Sequence, residues 1–324
     1  MSRGWAPWDL RPTVRVPLRK RIKRGVRSVV LVALLRLVSL IPLRPALRMG
    51  GWGGAIAYHL FSRTRGLALR HLAMAFPEKT EAERQAIARQ MFVNLGLAAM
   101  EITAIRSYDN GLERYVELRD GELLREMKAR GKGIIFVTGH LGNWELTARR
   151  VARAGVPNSA IAKRGDDFRL MGLIERWRLT GQVTTLWRED ASTGRAIIKL
   201  LKGGGGLGLL VDQNTDIQGV FVPFFGRLAH SARAPADLAL RFGSPILVGT
   251  GHRRGPNAGD GLQLEFTEIP YDPNPSDREA EVIRITAACQ AVLEDAIRRY
   301  PADWVWMHKR WKTQPAAANP PAQG

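Results

Sequence analysis

One cysteine in 324 residues, Cys289, leaves no material for a disulfide framework or a cysteine-ligated metal. With Ile285, Ala288 and Val292 around it, Cys289 reads as a small apolar helix residue rather than a nucleophile. Histidine is scarce too, at six residues, and His59, His230 and His252 have no metal-ligand spacing, so neither metal nor cofactor is expected. Acidic residues are outnumbered, 30 Asp and Glu against 49 Lys and Arg, for a formal charge of +19. That imbalance calls for an anionic partner: nucleic acid, a phosphorylated molecule, an acidic carrier protein or an anionic membrane. No helix-turn-helix, zinc-finger or RNA-binding signature is present, which argues against nucleic acid. The glycine run 203–206 lacks the Lys-Ser/Thr of a phosphate loop and precedes a strand rather than a helix.

What is present begins with the placement of the charge. Residues 1–50 hold twelve Lys or Arg and one acid, Asp9. Beside them lies an apolar stretch, 29–43, interrupted by Arg36, Ser39 and Pro42. A basic cluster next to an apolar helix is a membrane-surface pattern, and Trp5 and Trp8 suit an interface. The stretch falls short of the ~20 residues of a spanning helix. No small-x-small cleavage site follows it, so an uncleaved anchor is expected, interfacial or marginally spanning, with its basic side toward the cytoplasm. The alternative is a core helix with a solvated basic leader.

Four regions follow from the pattern: a basic leader over 1–27, a membrane-associated helical region over 28–107, an α/β domain over 108–312 and a disordered tail over 313–324. Leu31, Leu34, Leu35 and Val38 recur at helical spacing, Gly50–Gly54 reads as a break, and Thr80 with Glu83 resembles a helix start. Beyond residue 115, apolar runs at 134–137, 159–162, 207–211, 246–248 and 262–266 read as strands. Helical patterns at 146–154, 168–179, 191–201, 235–242 and 278–299 separate them. Such alternation predicts an α/β sheet covered by helices on both faces.

The most informative segment runs from Ile134 to Glu145. A buried strand ends, Gly139 turns the chain, and His140 stands where strand meets helix. In open α/β sheets ligands bind beyond the carboxyl ends of strands. Glu145 follows five positions later; on one continuous helix of ~3.6 residues per turn the two side chains would diverge. A bend at Gly142 and a cap at Asn143 would allow them to meet. A histidine so oriented takes a proton from an attacking hydroxyl, and a carboxylate on its other nitrogen fixes the tautomer. Taken alone, a His-x4-Glu pair is equally a buried histidine with an incidental surface acid.

The hexapeptide His140-Leu141-Gly142-Asn143-Trp144-Glu145 resembles the His-x4-Asp/Glu motif of the lysophospholipid acyltransferase superfamily. More narrowly, it is similar to the lipid A late acyltransferases, the lauroyl and myristoyl transferases acting on Kdo2-lipid A precursors. Phe76-Pro77-Glu78, Asp212-Gln213 with Pro223-Phe224-Phe225-Gly226, and the run from Pro301 through Trp304, Trp306, His308 and Arg310 to Lys312 resemble further blocks of that family in the same order.

The resemblance implies a mixed-sheet acyltransferase at the cytoplasmic face of the inner membrane. Its donor would be an acyl-carrier-protein or coenzyme A thioester and its acceptor a phosphorylated lipid. His140 would be the general base and Glu145 its partner, with Asp212 and Gln213 lining the same cleft. A functional arginine falls on Arg176, with Arg178 the alternative. Asn143, Phe224, His308 and Arg310 complete the expected substrate-binding set. Phe224 is equally plain core, Asp212 could simply pair with a nearby arginine, and His308-Lys309-Arg310 reads as a phosphate contact before a helix cap. Trp304, Trp306 and Trp311 read as packing or interfacial residues. Ser231 stands where relatives carry Thr, and His71 where they carry Asn. A glycolipid such as a phosphatidylinositol mannoside, or an amino-acid lipid, is the alternative acceptor. A nucleic-acid-binding protein is the alternative of a different class. Oligomeric state is not legible.

Overall fold

The computed structural model describes residues 35–119, 121–165, 168–255 and 257–315, together with 25, 26, 29 and 33. The leader expected over 1–27 and the tail expected over 313–324 lie almost wholly outside the described residues. After the partly described helical residues up to Val38 come three helices: α1 (Leu43–Leu60), α2 (Ser62–Ala75) and α3 (Glu81–Thr103). Pro77 follows the end of α2. Thr80 opens α3 as a reciprocal cap, its hydroxyl accepting from the Glu83 N–H while the Glu83 carboxylate accepts from the Thr80 N–H at 2.7 Å.

One expectation for this region is corrected. Gly50–Gly54 do not break the chain but lie inside α1, where Gly50 and Gly54 press against α3. A Cβ at Gly50 would stand 2.4 Å from the carbonyl oxygen of Gly96, and one at Gly96 would stand 2.0 Å from that of Gly50. The glycines let two helix backbones cross in contact, as small residues do. Among the described residues no helix is long and apolar enough to cross a membrane, which gives the spanning form of the expected anchor no support and does not bear on the interfacial form. The described residues of 29–43 are helical to Val38, carry the exposed Arg36, and turn at 39–40 before Pro42.

Strands and helices then alternate: α4 (Leu112–Tyr115), β1 (Val116–Leu118), α5 (Gly121–Ala129), β2 (Ile134–Thr138), α6 (Trp144–Arg153), β3 (Asn158–Ala162), α7 (Phe168–Thr180), β4 (Val183–Trp187), α8 (Thr193–Lys202) and β5 (Gly206–Leu210). A hairpin of β6 (Gly219–Phe224) and β7 (Arg227–Ala232) follows, then α9 (Ala234–Phe242), β8 (Ile246–Arg253), β9 (Leu262–Ile269) and α10 (Arg278–Arg299). The main sheet has the order β1-β9-β8-β2-β5-β3-β4 and is parallel except where β9 runs against β8. β6 and β7 pair separately, antiparallel.

β2 lies at the centre, which explains its unbroken apolar run. Ile135 and Val137 face the core built with Ile285 and Leu293 of α10. Ile134 and Phe136 face the opposite core with Leu146 and Val151 of α6. A strand buried on both faces carries apolar side chains at every position. β1, β4 and the β6–β7 hairpin were not anticipated. β1 is three residues long, and β4, at the sheet edge, alternates buried Val183, Thr185 and Trp187 with more exposed positions.

Candidate active site

β2 and β5 are neighbouring parallel strands in register, Thr138 opposite Leu210. Two residues beyond Thr138 is His140; two beyond Leu210 is Asp212. Equal offsets from paired strand ends bring the two side chains together at the carboxyl edge of the sheet. Gly139 leaves room for this, since a Cβ there would stand 3.1 Å from the Asp212 carboxylate. Asp212 is completely buried. Its Oδ1 lies 2.9 Å from His140 Nδ1, and its Oδ2 accepts from the His140 backbone N–H at 2.7 Å and from Trp304 Nε1 at 2.8 Å. Burial alone would raise this carboxyl's pKa, but His140 beside it and the three donors outweigh burial and hold it well below the usual carboxylate range. An ionised carboxylate only accepts, so the His140 proton sits on Nδ1 and Nε2 keeps its lone pair.

The chain bends after His140 as expected. Gly142 adopts φ +60°, and a Cβ there would meet the Gly251 carbonyl oxygen at 2.5 Å. Asn143 caps α6, its Oδ1 accepting from the Leu146 N–H. Its Nδ2 donates to Glu101 at 2.9 Å. Asn143 is therefore a buried joint between α6 and α3 rather than part of a substrate wall.

Glu145 is not the carboxylate on His140. Both its oxygens are taken by Arg178, through Nε at 2.8 Å and Nη2 at 2.5 Å, and Arg178 also donates to Thr185. The bend turns His140 toward β5, while Glu145 sits inside the first turn of α6 and faces α7. Arg176 is exposed on α7, so the arginine that reaches the site is Arg178.

The remaining expected residues divide. Gln213 and His308 join His140: Gln213 Nε2 lies 3.0 and 3.1 Å from the two ring nitrogens of His140 and 2.7 Å from His308 Nε2. Phe224 and Arg310 do not line the cleft. Phe224 is fully buried against Phe225, Trp304 and Trp311. Arg310, also fully buried, donates to the His230 carbonyl, Ser231 Oγ and Gln290. Gln290 in turn donates to the carbonyl of Val211, so Arg310 braces the strand end that carries Asp212. Trp306 is a buried packing residue, Trp304 is buried and also donates to Asp212, and Ser231 holds Arg310. Cys289 is buried on α10, and burial pushes its thiol up to about 12, which removes it as a nucleophile.

Beside the His140 loop a mostly apolar cavity opens between α6 and the sheet. Phe136, Ala148, Val151, Leu210 and Phe266 form its walls, with Glu145 and Arg178 also bordering it. Trp144, also on the wall, meets the His140 ring edge to face at 4.7 Å.

Two parts of the site escaped the sequence reading. Asp212 as partner of His140 needed the adjacency of β2 and β5, which are far apart in the chain. The buried pair of Glu101 and Arg253, which holds Asn143 from behind at 2.7 Å across the pair, joins a helix to a strand 152 positions away. The one available signal for Glu101 was an acid in an otherwise apolar helical pattern.

A sequence model of a family described as bacterial lipid A biosynthesis acyltransferase matches residues 19–313. The chain is 29% identical over 289 residues to a lipid A biosynthesis lauroyltransferase of Escherichia coli (strain K12), covering 88% of this chain and 90% of that one. It is 24% identical to a lipid A biosynthesis palmitoleoyltransferase of the same organism, over 81% and 83% of the two chains. A phosphatidylinositol mannoside acyltransferase of Mycolicibacterium smegmatis is 23% identical over 56% of this chain and 57% of its own.

Proposed function

The chain belongs to the bacterial lipid A biosynthesis acyltransferase family, and from that premise we propose that it moves a fatty acyl chain from a thioester to a hydroxyl of a lipid A precursor. The observation that carries the mechanism is the Asp212 carboxylate on Nδ1 of His140, at the sheet edge beside an apolar cavity. With its proton held on Nδ1, His140 takes the acceptor's hydroxyl proton on Nε2 as that oxygen attacks the thioester carbonyl. The tetrahedral intermediate collapses by expelling the thiolate, which takes the proton back from the imidazolium. Acceptor oxygen and acyl carbon are then joined, and the carrier leaves as a free thiol. No acyl-enzyme is required. The apolar walls between α6 and the sheet mark the entrance for the acyl tail, although the cavity there, about 50 Å³, holds only the first of its carbons. Glu145 and Arg178 position the first turn of α6, and with it Trp144 against His140.

The donor is acyl carrier protein or coenzyme A, either being an anionic partner suited to a +19 chain. Attachment is interfacial, at the cytoplasmic face of the inner membrane. Met49, Trp52, Ile56 and Leu60 recur along one side of α1 and are exposed, Trp52 by 70% and Leu60 by 71%. Ala46, Leu47, Gly50, Gly54 and Tyr58 on the other side are buried. The exposed Arg44 and Arg48 precede Trp52 by two turns and one. An apolar stripe with cations at one end fits the plane of an anionic bilayer surface.

Incubating the enzyme with labelled acyl-carrier-protein thioester and Kdo2-lipid IVA should yield a product heavier by one acyl chain, and the His140→Ala variant should yield none. Unchanged turnover by His140→Ala would end this mechanism. A phosphatidylinositol mannoside acceptor is the second reading, favoured by the mycobacterial relative, and the mass of the product formed from each acceptor separates the two.

A further inference from the structure

Gln213 and His308 sit inside the catalytic cluster without a part in the proton transfer just described. We propose that Gln213 is a second catalytic residue, whose carboxamide N–H stabilises the oxyanion that forms on the thioester carbonyl, and that His308 is the positioning residue that aims it. The inference rests on His140 being the base.

The geometry of the amide carries the argument. Gln213 Nε2 is nearly equidistant from the two ring nitrogens of His140, at 3.0 and 3.1 Å. An atom so placed in the ring plane would collide with the carbon between them, so the amide lies against the face of the imidazole. The in-plane partner of Nδ1 is already Asp212. Gln213 is therefore not a second orienting bond to His140; its N–H group stands beside Nε2, where the attacking hydroxyl must come.

The direction of the amide follows from its neighbours. The face of the His140 ring presents π electron density, which a carbonyl oxygen would repel and an N–H group does not. His308 accommodates that direction from the other side. Its Nε2 is 2.7 Å from the Gln213 nitrogen, and its ring centre is 5.1 Å from that of His140. Burial, with His140 next to it, keeps the His308 ring neutral at ordinary pH, so one of its nitrogens carries a lone pair; in the tautomer that leaves it on Nε2, that atom accepts from Gln213. With one amide hydrogen directed to His308, the second stands over the His140 ring, whose Nε2 is 3.1 Å from the amide nitrogen. The nucleophilic oxygen and the carbonyl oxygen become neighbours on one tetrahedral carbon, so a donor beside the base is within reach of the developing charge. Gln213 is half-buried, and its backbone is fixed by the strand end that Gln290 and Arg310 brace. An oxyanion donor needs this preorganisation, because it acts only if it is already in place.

The test separates transition-state from ground-state binding. Gln213→Ala should lower kcat by about 10²–10³-fold, the usual loss of one oxyanion donor, with KM changed by no more than a few-fold. It should weaken a phosphonate mimic of the tetrahedral intermediate by a similar factor. Binding of an unreactive thioether donor analogue, which has no carbonyl, should be unchanged. Gln213→Glu keeps the shape but loses the N–H, so it must fail as well and guards against misfolding of the alanine variant. His308→Gln, which can present an acceptor oxygen where Nε2 stands, should recover most of the activity that His308→Leu loses. The oxyanion role is overturned by a kcat for Gln213→Ala near the wild-type value beside an inactive His140→Ala, or by equal weakening of phosphonate and thioether. Equal activity of His308→Gln and His308→Leu overturns the positioning role. Retained activity in His140→Ala overturns the base assignment and this inference with it.

Discussion

Oδ1 of Asp212 lies 2.9 Å from Nδ1 of His140, while its Oδ2 holds the backbone N–H of the same histidine at 2.7 Å. One carboxylate thus fixes both the ring and the strand end that carries it. Asp212→Asn should therefore do more harm than its size suggests. An amide NH2 turned toward Nδ1 favours the opposite tautomer, with the proton on Nε2, and the base is lost. We expect kcat to fall by about 10³–10⁴-fold with little change in KM, as in other carboxylate–histidine systems. Steady-state kinetics on a folded variant decides it, and a loss below tenfold would show that Asp212 is dispensable as the orienting group.

Arg178 grips Glu145 with two hydrogen bonds, and both side chains are mostly buried. Arg178→Ala would leave Glu145 facing apolar walls without a partner, and Arg178→Lys cannot reproduce the two-point grip. Both variants should lose activity by tenfold or more, whereas Arg176→Ala, altering an exposed side chain, should remain within twofold of wild type. Comparing kcat for the three variants tests the assignment; a damaging Arg176→Ala beside a harmless Arg178→Ala would reverse it.

The reach of sequence reading here is set by distance along the chain. The strand at 134–137 was legible because burial on both faces forces an unbroken apolar run, and Thr80 with Glu83 because capping is local. The bend at Gly142 and the cap at Asn143 were legible for the same reason. The partner of His140 was not: spacing along the chain favours Glu145, but pairing across the sheet delivers Asp212. Gly50–Gly54 were misread because local propensity makes glycine a breaker, and only the close approach of α3 gives it a use inside α1. His308 and Arg310, two residues apart, part company because one meets the cluster around His140 and the other a buried bracket beneath it.

His308 also makes stability depend on pH. Burial lowers its pKa from the ordinary 6.5 to about 4. Between those values the unfolded chain binds a proton that the folded chain does not. Its contribution is neutral above about 6.5, and stability is lost as pH falls from there toward 4. His71 and His252, lowered by burial in the same direction, add to the slope. Urea unfolding at pH 7, 6 and 5 should show a falling midpoint, and His308→Gln should flatten part of it. An identical slope in that variant would count against a neutral, buried His308.

The exposed stripe on α1 makes a prediction about lipid. Replacing Trp52 and Ile56 with Glu removes two apolar side chains, each worth up to ~1.5–3 kcal/mol on burial, and adds two charges that an anionic surface repels. Sedimentation with vesicles containing phosphatidylglycerol should show binding weakened by at least about tenfold. Undiminished binding would place the membrane contact elsewhere on the chain.

Glu101 and Arg253 form an ion pair at 2.7 Å in which the acid is wholly buried. Burial alone would raise the Glu101 pKa, but Arg253, Asn143 and Tyr115 together lower it. Its stabilisation is present above the ordinary carboxylate value of 4.5 and is lost as pH falls below it. Removing either partner strands the other charge, so Glu101→Leu and Arg253→Met should each cost about 3–5 kcal/mol in chemical denaturation. The double variant should cost less than the sum, because no charge is then left alone. It should still cost something, since Asn143 and Tyr115 lose the acceptor they share. Asn143 caps the helix that begins directly after the His140 loop. The double variant should therefore recover stability further than it recovers activity. Strict additivity of the two single losses would show that the pair is not coupled and that Asn143 is held by other means.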